Sequence, residues 1–355
     1  MLRYCSHFVF SFRMILSLIQ SKIRTFAPLF IKVHKKFYND MNSKVKGTLC
    51  GIGAAVSYGL NPLGALPLYA DGINTNSVLF YRYGIAVILL ALFMLSTKKS
   101  FAVSLKELSV LAPLGILFSM SSLTLFDSFH YMDAGIACTL LFVYPVMVAV
   151  IMAVFFKEKV TLVTSFSIVM ALFGIALLYR GGDGVLLNTL GVFLVMVSSL
   201  TYALYIIILN KSFLRMSSLK LTFYVLSFGI ILIIINSIFG GDSARIQMLS
   251  TARTWAFASM LALFPTVISL LLMTVAVHEI GSTPTAVMGA LEPLTAVVLG
   301  VTLFGEQFTS RLGCGIMMIL SAVILIVLGG SISLNRITVV LGKFGRVLIK
   351  HWRWK

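Results

Sequence analysis

From Gly47 to Ile332 the chain alternates long apolar runs with short polar breaks. The runs fall at Gly47–Leu68, Ser77–Ser96, Leu108–Phe129, Gly135–Phe156 and Thr161–Tyr179, and then at Leu190–Leu209, Leu221–Phe239, Trp255–Val277, Thr285–Phe304 and Leu312–Ile332. Each is close to the roughly 20 residues that a helix needs to cross a bilayer. The breaks are short, as helical bundles prefer, except at Thr97–Glu107 and Gly240–Thr254. The pattern predicts an all-α integral membrane protein of ten transmembrane helices.

Composition supports lipid as the solvent. Hydrophobic residues make up 59% of the 355 residues and charged residues 11%. A soluble domain carries about a quarter charged residues, and it needs them for its surface. The net charge of +17 would suit a nucleic-acid binder if the basic residues formed one patch. Here they sit in the breaks and at the two ends, which fits orientation signals and anionic lipid and excludes a nucleic-acid partner. With the N-terminus inside, Lys and Arg favour the inner segments by about four to one, so both ends are expected in the cytoplasm. Cys5, Cys50, Cys138 and Cys314 form no pair at metal-ligand spacing and read as small packing residues. No metal or cofactor is expected.

An internal repeat organises the runs. Tyr144-Pro145 stands 148 residues before Glu292-Pro293, and each proline precedes a glutamate, Glu158 or Glu306, by 13 residues. The same offset joins Thr161 to Thr309 and Gly181-Gly182 to Gly329-Gly330. At a slightly different offset, Ser57-Tyr58 follows Gly47 as Thr201-Tyr202 follows Gly191. Register-keeping matches of this kind are not explained by shared apolar composition. A five-helix unit is odd, so its second copy enters the membrane in the opposite sense. Inverted repeats suit alternating access, with a site near the midplane between the halves. The units are 47–182 and 188–332. Residues 1–46 are a basic extension, read either as an amphipathic surface helix or transit peptide, or as residues upstream of a start at Met41. Residues 333–355 form a basic tail, either an amphipathic helix on the inner leaflet or a frayed end.

These features resemble the drug/metabolite transporter superfamily, and within it the EamA-type members. The resemblance covers residues 47–332. It rests on the paired Pro…Glu helices, the Arg82-Tyr83-Gly84 stretch and the glycines after the fifth and tenth helices. It implies a carrier that moves small metabolites, often amino acids, across the bacterial inner membrane, commonly outward.

A charge inside a span costs several kcal/mol unless it is paired or faces water, so Arg82, Asp127 and Glu292 are candidates. Glu292 precedes Pro293, which loosens its helix. It is read as a binding or proton-accepting group, against a carboxylate that merely caps a kink. Arg82 either snorkels to the interface, pairs with a carboxylate or meets substrate. Asp127, His130 and Asp133 are read as a solvated helix end rather than a metal or proton site. Tyr58, Asn61, Tyr144, Tyr202 and Tyr205 form a polar-aromatic set beside the breaks expected at Pro62 and Pro145. They line a cavity for an amphipathic solute or pack the bundle. Glu158 and Glu306 are expected to be exposed and to orient loops through Lys157, Lys159 or Arg311. No nucleotide-binding loop or catalytic constellation is present: Gly51-Ile52-Gly53 lies in an apolar run with no strand before it. The leading expectation is a secondary transporter with Tyr58, Asn61, Arg82, Tyr144, Tyr202 and Glu292 in the substrate path. Its alternatives are a membrane-embedded enzyme acting on lipid and a non-transporting scaffold.

Overall fold

The computed structural model describes residues 43–157, 162–178, 187–212, 214 and 216–329. Residues 1–42 of the N-terminal extension, the basic tail, Arg180, Gly181-Gly182, Arg215, Glu158 and Lys159 lie outside the described residues.

The described residues are helical and contain no strand. In the first half come α1 (Ser43–Gly59), α2 (Asn61–Ala70), α3 (Thr75–Ser96), α4 (Leu105–Ser128), α5 (Ala134–Leu141), α6 (Tyr144–Phe156) and α7 (Leu162–Leu178). In the second come α8 (Thr189–Lys211), α9 (Ser218–Phe239), α10 (Ala252–Ala262), α11 (Ser269–Ile280), α12 (Ser282–Met288), α13 (Leu291–Leu303) and α14 (Ser310–Gly329). Among the described residues, taken through their breaks, 7 helices are long and apolar enough to cross a membrane, and Leu162–Leu178, Leu291–Leu303 and Ser310–Leu325 are shorter apolar helices.

Several long helices are broken, and the breaks have local causes. Asn61 and Pro62 open α2, where the missing proline N–H is no loss. Val143 bonds back to Leu140 at 3.1 Å before Tyr144-Pro145 starts α6. Ala290 bonds back to Val287 at 3.2 Å before α13 begins, with Glu292 and Pro293 in its first turn. Between α10 and α11 the six residues Leu263–Ile268 form a π-helical turn around Pro265. Sequence reading treated that run as one straight helix. The proline removes an N–H, and the wider turn re-pairs the backbone.

Conformation repeats with the sequence. Lys157 and Gly305, 148 residues apart, both end their helices in the left-handed region, at φ 53° and 71°. The turn at Gly305 overturns one expectation: Glu306 is half-buried rather than exposed. It accepts the N–H of Ala134 at 2.8 Å instead of orienting its own loop.

The two halves interlock. α1 packs on α11, α4 on α8 and α9, α3 on α9, α5 on α13 and α7 on α14. Small residues bring the last pair close: a β-carbon on Gly174 would stand 2.9 Å from the Gly315 carbonyl oxygen. At one end of the bundle Lys46 Nζ meets Glu279 Oε1 at 2.8 Å, joining α1 to α11, and Ser43 donates to the same carboxylate. At the other end the 240–251 connection is tied down. Asn74, Asn76 and Ser77 at the start of α3 bond Gln247, Arg245 and Ala244 at 2.7 Å.

Two glycines should respond in opposite ways. Gly174→Ala forces α7 and α14 apart and is expected to cost about 1–3 kcal/mol. A β-carbon on Gly84 meets nothing within 4 Å, so Gly84→Ala is expected to gain up to about 1 kcal/mol from helix propensity. Denaturant unfolding in detergent measures both.

Candidate functional site

The breaks converge on the middle of the bundle, where the halves meet around a cavity of about 280 Å³. α1 contributes Tyr58, α3 Arg82, α6 Tyr144, α8 Tyr202 and the start of α13 Glu292. A second space of about 150 Å³ shares Tyr58, Arg82, Phe118, Tyr202, Ser269 and Met273 with it and adds Tyr205, Pro265 and Thr266. The two are compartments around one set of side chains.

Arg82 is 2% exposed, so it does not snorkel to an interface. Its Nε donates to Thr266 Oγ1 at 3.0 Å. The guanidinium carbon lies 5.3 Å from the Phe126 ring centre and 5.9 Å from that of Tyr83, within cation–π range. Thr266 is placed by the π-helical turn, and its hydroxyl donates to the Leu261 carbonyl at 3.0 Å. Arg82 and Glu292 therefore bring a guanidinium and a carboxyl group to one cavity, and no ion pair joins them among the described residues.

One side of the cavity is aromatic. Tyr144 meets Tyr202 edge to face at 4.6 Å, and Tyr202 stacks on Tyr205 at 5.6 Å. Phe118 closes the group at 5.6 Å from Tyr205. Such contacts fix ring orientations and hold a surface that is apolar on its faces and polar at its hydroxyls.

Hydroxyls near the cavity bond helix carbonyls and one another, one of them at a break. Ser199 donates to the Leu141 carbonyl at 3.1 Å, at the break between α5 and α6. Ser269 donates to the Ala54 carbonyl at 2.9 Å. Ser121 and Ser198 bond each other at 3.0 Å.

Five of the six residues expected in the substrate path line the main cavity; Asn61 does not. It is 3% exposed beside the first break, and its Oδ1 has no partner among the described residues. Pro62, Pro145 and Pro293 each fall in the first turn after a break. Asp127 lies in the last turn of α4 and His130 just beyond its end, against Tyr69 at 4.2 Å and within 3.4 Å of Thr75 Oγ1. Asp133 faces Glu306 instead. Among the described residues no three His, Cys, Asp or Glu gather as metal ligands. Sequence reasoning missed Phe118, Ser121, Ser122, Thr266, Ser269 and Met273. A run of serines, Ser119 to Ser122 around Met120, inside an apolar helix was the visible signal for part of this set.

Comparison with known proteins places this geometry. A solved structure titled only "Crystal structure of protein" shares the fold at a TM-score of 0.57 and 14% identity, over 79% of this chain and 96% of that one. No curated protein matches the chain significantly in sequence. The profile of the EamA-like transporter family matches twice, over residues 45–180 and 189–328. The chain is thus an integral membrane protein carrying two copies of that repeat, and it belongs to the EamA-like transporter family.

Proposed function

We propose that this protein is a secondary transporter that exports small amphipathic metabolites, such as amino acids, across a bacterial inner membrane. The observation that carries the reading is the cavity between the two repeats, with Arg82 and Glu292 set among aromatic rings. Its volume, near the lower end of ligand pockets, suits a small solute. A positive group, a negative group and an apolar wall suit a molecule that carries charge and an apolar body.

On this reading ten spans cross the bilayer as two inverted five-helix units. α7 has 17 residues, about 25 Å of helix, enough for a thin span. α12 with α13, and α14, supply the last two crossings. The pairing of helices supports a two-fold relation between the units, and five spans per unit make that relation an inversion. Numbered as spans, the second packs on the seventh, the fourth on the ninth and the fifth on the tenth, while first-on-eighth mirrors sixth-on-third. A two-fold axis in the membrane plane generates that pattern. The excess of Lys and Arg puts both termini in the cytoplasm, with Lys46–Glu279 at the inner end and Glu306 at the outer. Substrate binds between the repeats, and rocking exposes it to each side in turn.

The full chain, purified and placed in liposomes loaded with amino acids and common metabolites, is expected to release one solute class selectively, as read by mass spectrometry. Folded protein that releases none would overturn the reading. Arg82→Gln and Glu292→Gln are each expected to slow that release by about tenfold or more, the scale of a lost charged contact.

Coupling is tested in the same liposomes. A proton gradient is expected to accelerate release by the natural chain and not by Glu292→Gln. Equal acceleration of both would remove Glu292 from the proton path.

A further inference from the structure

The turn after α13 carries an acid away from its own helix. Gly305, at φ 71°, adopts the left-handed conformation that glycine takes most readily. The Glu306 N–H closes on the Gly300 carbonyl at 2.9 Å. The side chain then points back across the repeat boundary. Its Oε1 accepts the Ala134 N–H at 2.8 Å, and its Oε2 accepts the Gly135 N–H at 3.2 Å. These are the first two N–H groups of α5, donors that a helix cannot pair internally, at the end where its dipole favours negative charge.

The seat is shaped for a carboxylate. A β-carbon on Gly135 would stand 2.7 Å from Glu306 Oε2, and one on Gly300 would collide with the same group. One glycine from each repeat therefore leaves room for the acid. Among the described residues no ion pair joins Glu306 to a cation. Asp133, immediately before α5, faces it with a like charge. Cys138 lies one turn further along α5, Glu292 stands at the far end of α13, and Arg311 opens α14.

We propose that Glu306 is a proton-binding latch between the repeats: seated on α5 it closes the end of the protein bearing the 304–309 turn, and loss of its proton favours release of that end. Burial, and then Asp133, push Glu306 up from 4.5 to about 7, against the pull of the two N–H bonds. Once released into water the carboxyl regains its ordinary value. The seated state therefore binds the proton more tightly, and acid favours it. As pH rises through about 7, the seated carboxylate becomes charged, and hydration outside the seat draws it away. From pH 8 to pH 6 the ratio of seated to released molecules rises about tenfold.

The latch requires the repeats to move against each other and requires no substrate, so its test stands apart from any transport assay. In a full chain with Cys5, Cys50, Cys138 and Cys314 replaced by serine, spin labels at Tyr131→Cys and Gln307→Cys would report the distance across this end. Both positions are exposed. In lipid nanodiscs, pulsed dipolar spectroscopy should show the shorter distance gaining about tenfold over the longer between pH 8 and pH 6. Glu306→Gln keeps an acceptor for the Ala134 N–H without a charge, and is expected to hold the shorter distance at both pH values. Glu306→Ala has no acceptor and is expected to give the longer distance at both. A distance in the natural sequence that ignores pH would overturn the proposal. So would a pH response that survives Glu306→Gln. If the alanine variant fails to fold, the glutamine comparison decides alone.

Discussion

Backbone amides buried away from water must find partners, and in this protein that constraint ties the two repeats together. An unbroken helix meets it alone. A broken helix does not, and several of the helices here are broken. The repairs come repeatedly from the other repeat. Ser199 in the second half donates to the Leu141 carbonyl in the first, at the break between α5 and α6. Glu306 takes up the N–H groups that open α5. The same breaks that open a cavity at the centre therefore oblige the repeats to interlock around it.

Arg82 sits at the centre of this arrangement. A guanidinium in an apolar interior costs several kcal/mol unless its surroundings answer the charge. Thr266 answers one donor, and the faces of Phe126 and Tyr83 answer part of the rest. Thr266 is available because the π-helical turn presents it and bonds its hydroxyl back to Leu261. The remaining donors face a cavity that also holds Glu292. A guanidinium left partly unanswered beside a carboxyl group is poorly satisfied by protein alone. In the proposed transporter, a solute that bridges them would complete what the fold leaves open.

The apolar rhythm made the helical segments legible, to within a few residues of those ends that the described residues include, because a bilayer imposes length and composition together. The repeat was legible because prolines and glutamates are rare in such runs, so two in register stand out. Tyr58, Arg82, Tyr144, Tyr202 and Glu292 were legible for the same reason. Other parts were not. Asn61 resembles a lining residue by its position at a break, but its place depends on the rotation of α2, which no periodicity fixes. Ser269 and Met273 are ordinary residues for a membrane helix, and only the π-helical turn before them aims them inward. Glu306 was misread as a loop acid, because its partner is a helix start 172 residues away and sequence spacing carries no sign of that contact.

Two copies of one unit need not make two equal ends. A β-carbon on Gly47 would stand 2.9 Å from the Cβ of Glu279, and one on Gly191 would stand 2.9 Å from the Cβ of Tyr131. Glu279 and Tyr131 are 148 residues apart, the spacing of the repeat. The backbones therefore meet in the same way at both ends of the bundle, while the side chains differ. One end is held by the Lys46–Glu279 ion pair. At the equivalent place the other end offers Leu190 and Tyr131, which make no ion pair, and closure there draws on the Glu306 seat instead. An ion pair loosens with salt, and a buried carboxylate on a helix start responds to protons. Repetition thus supplied a symmetric frame, and substitution at its two ends gave each closure its own chemistry.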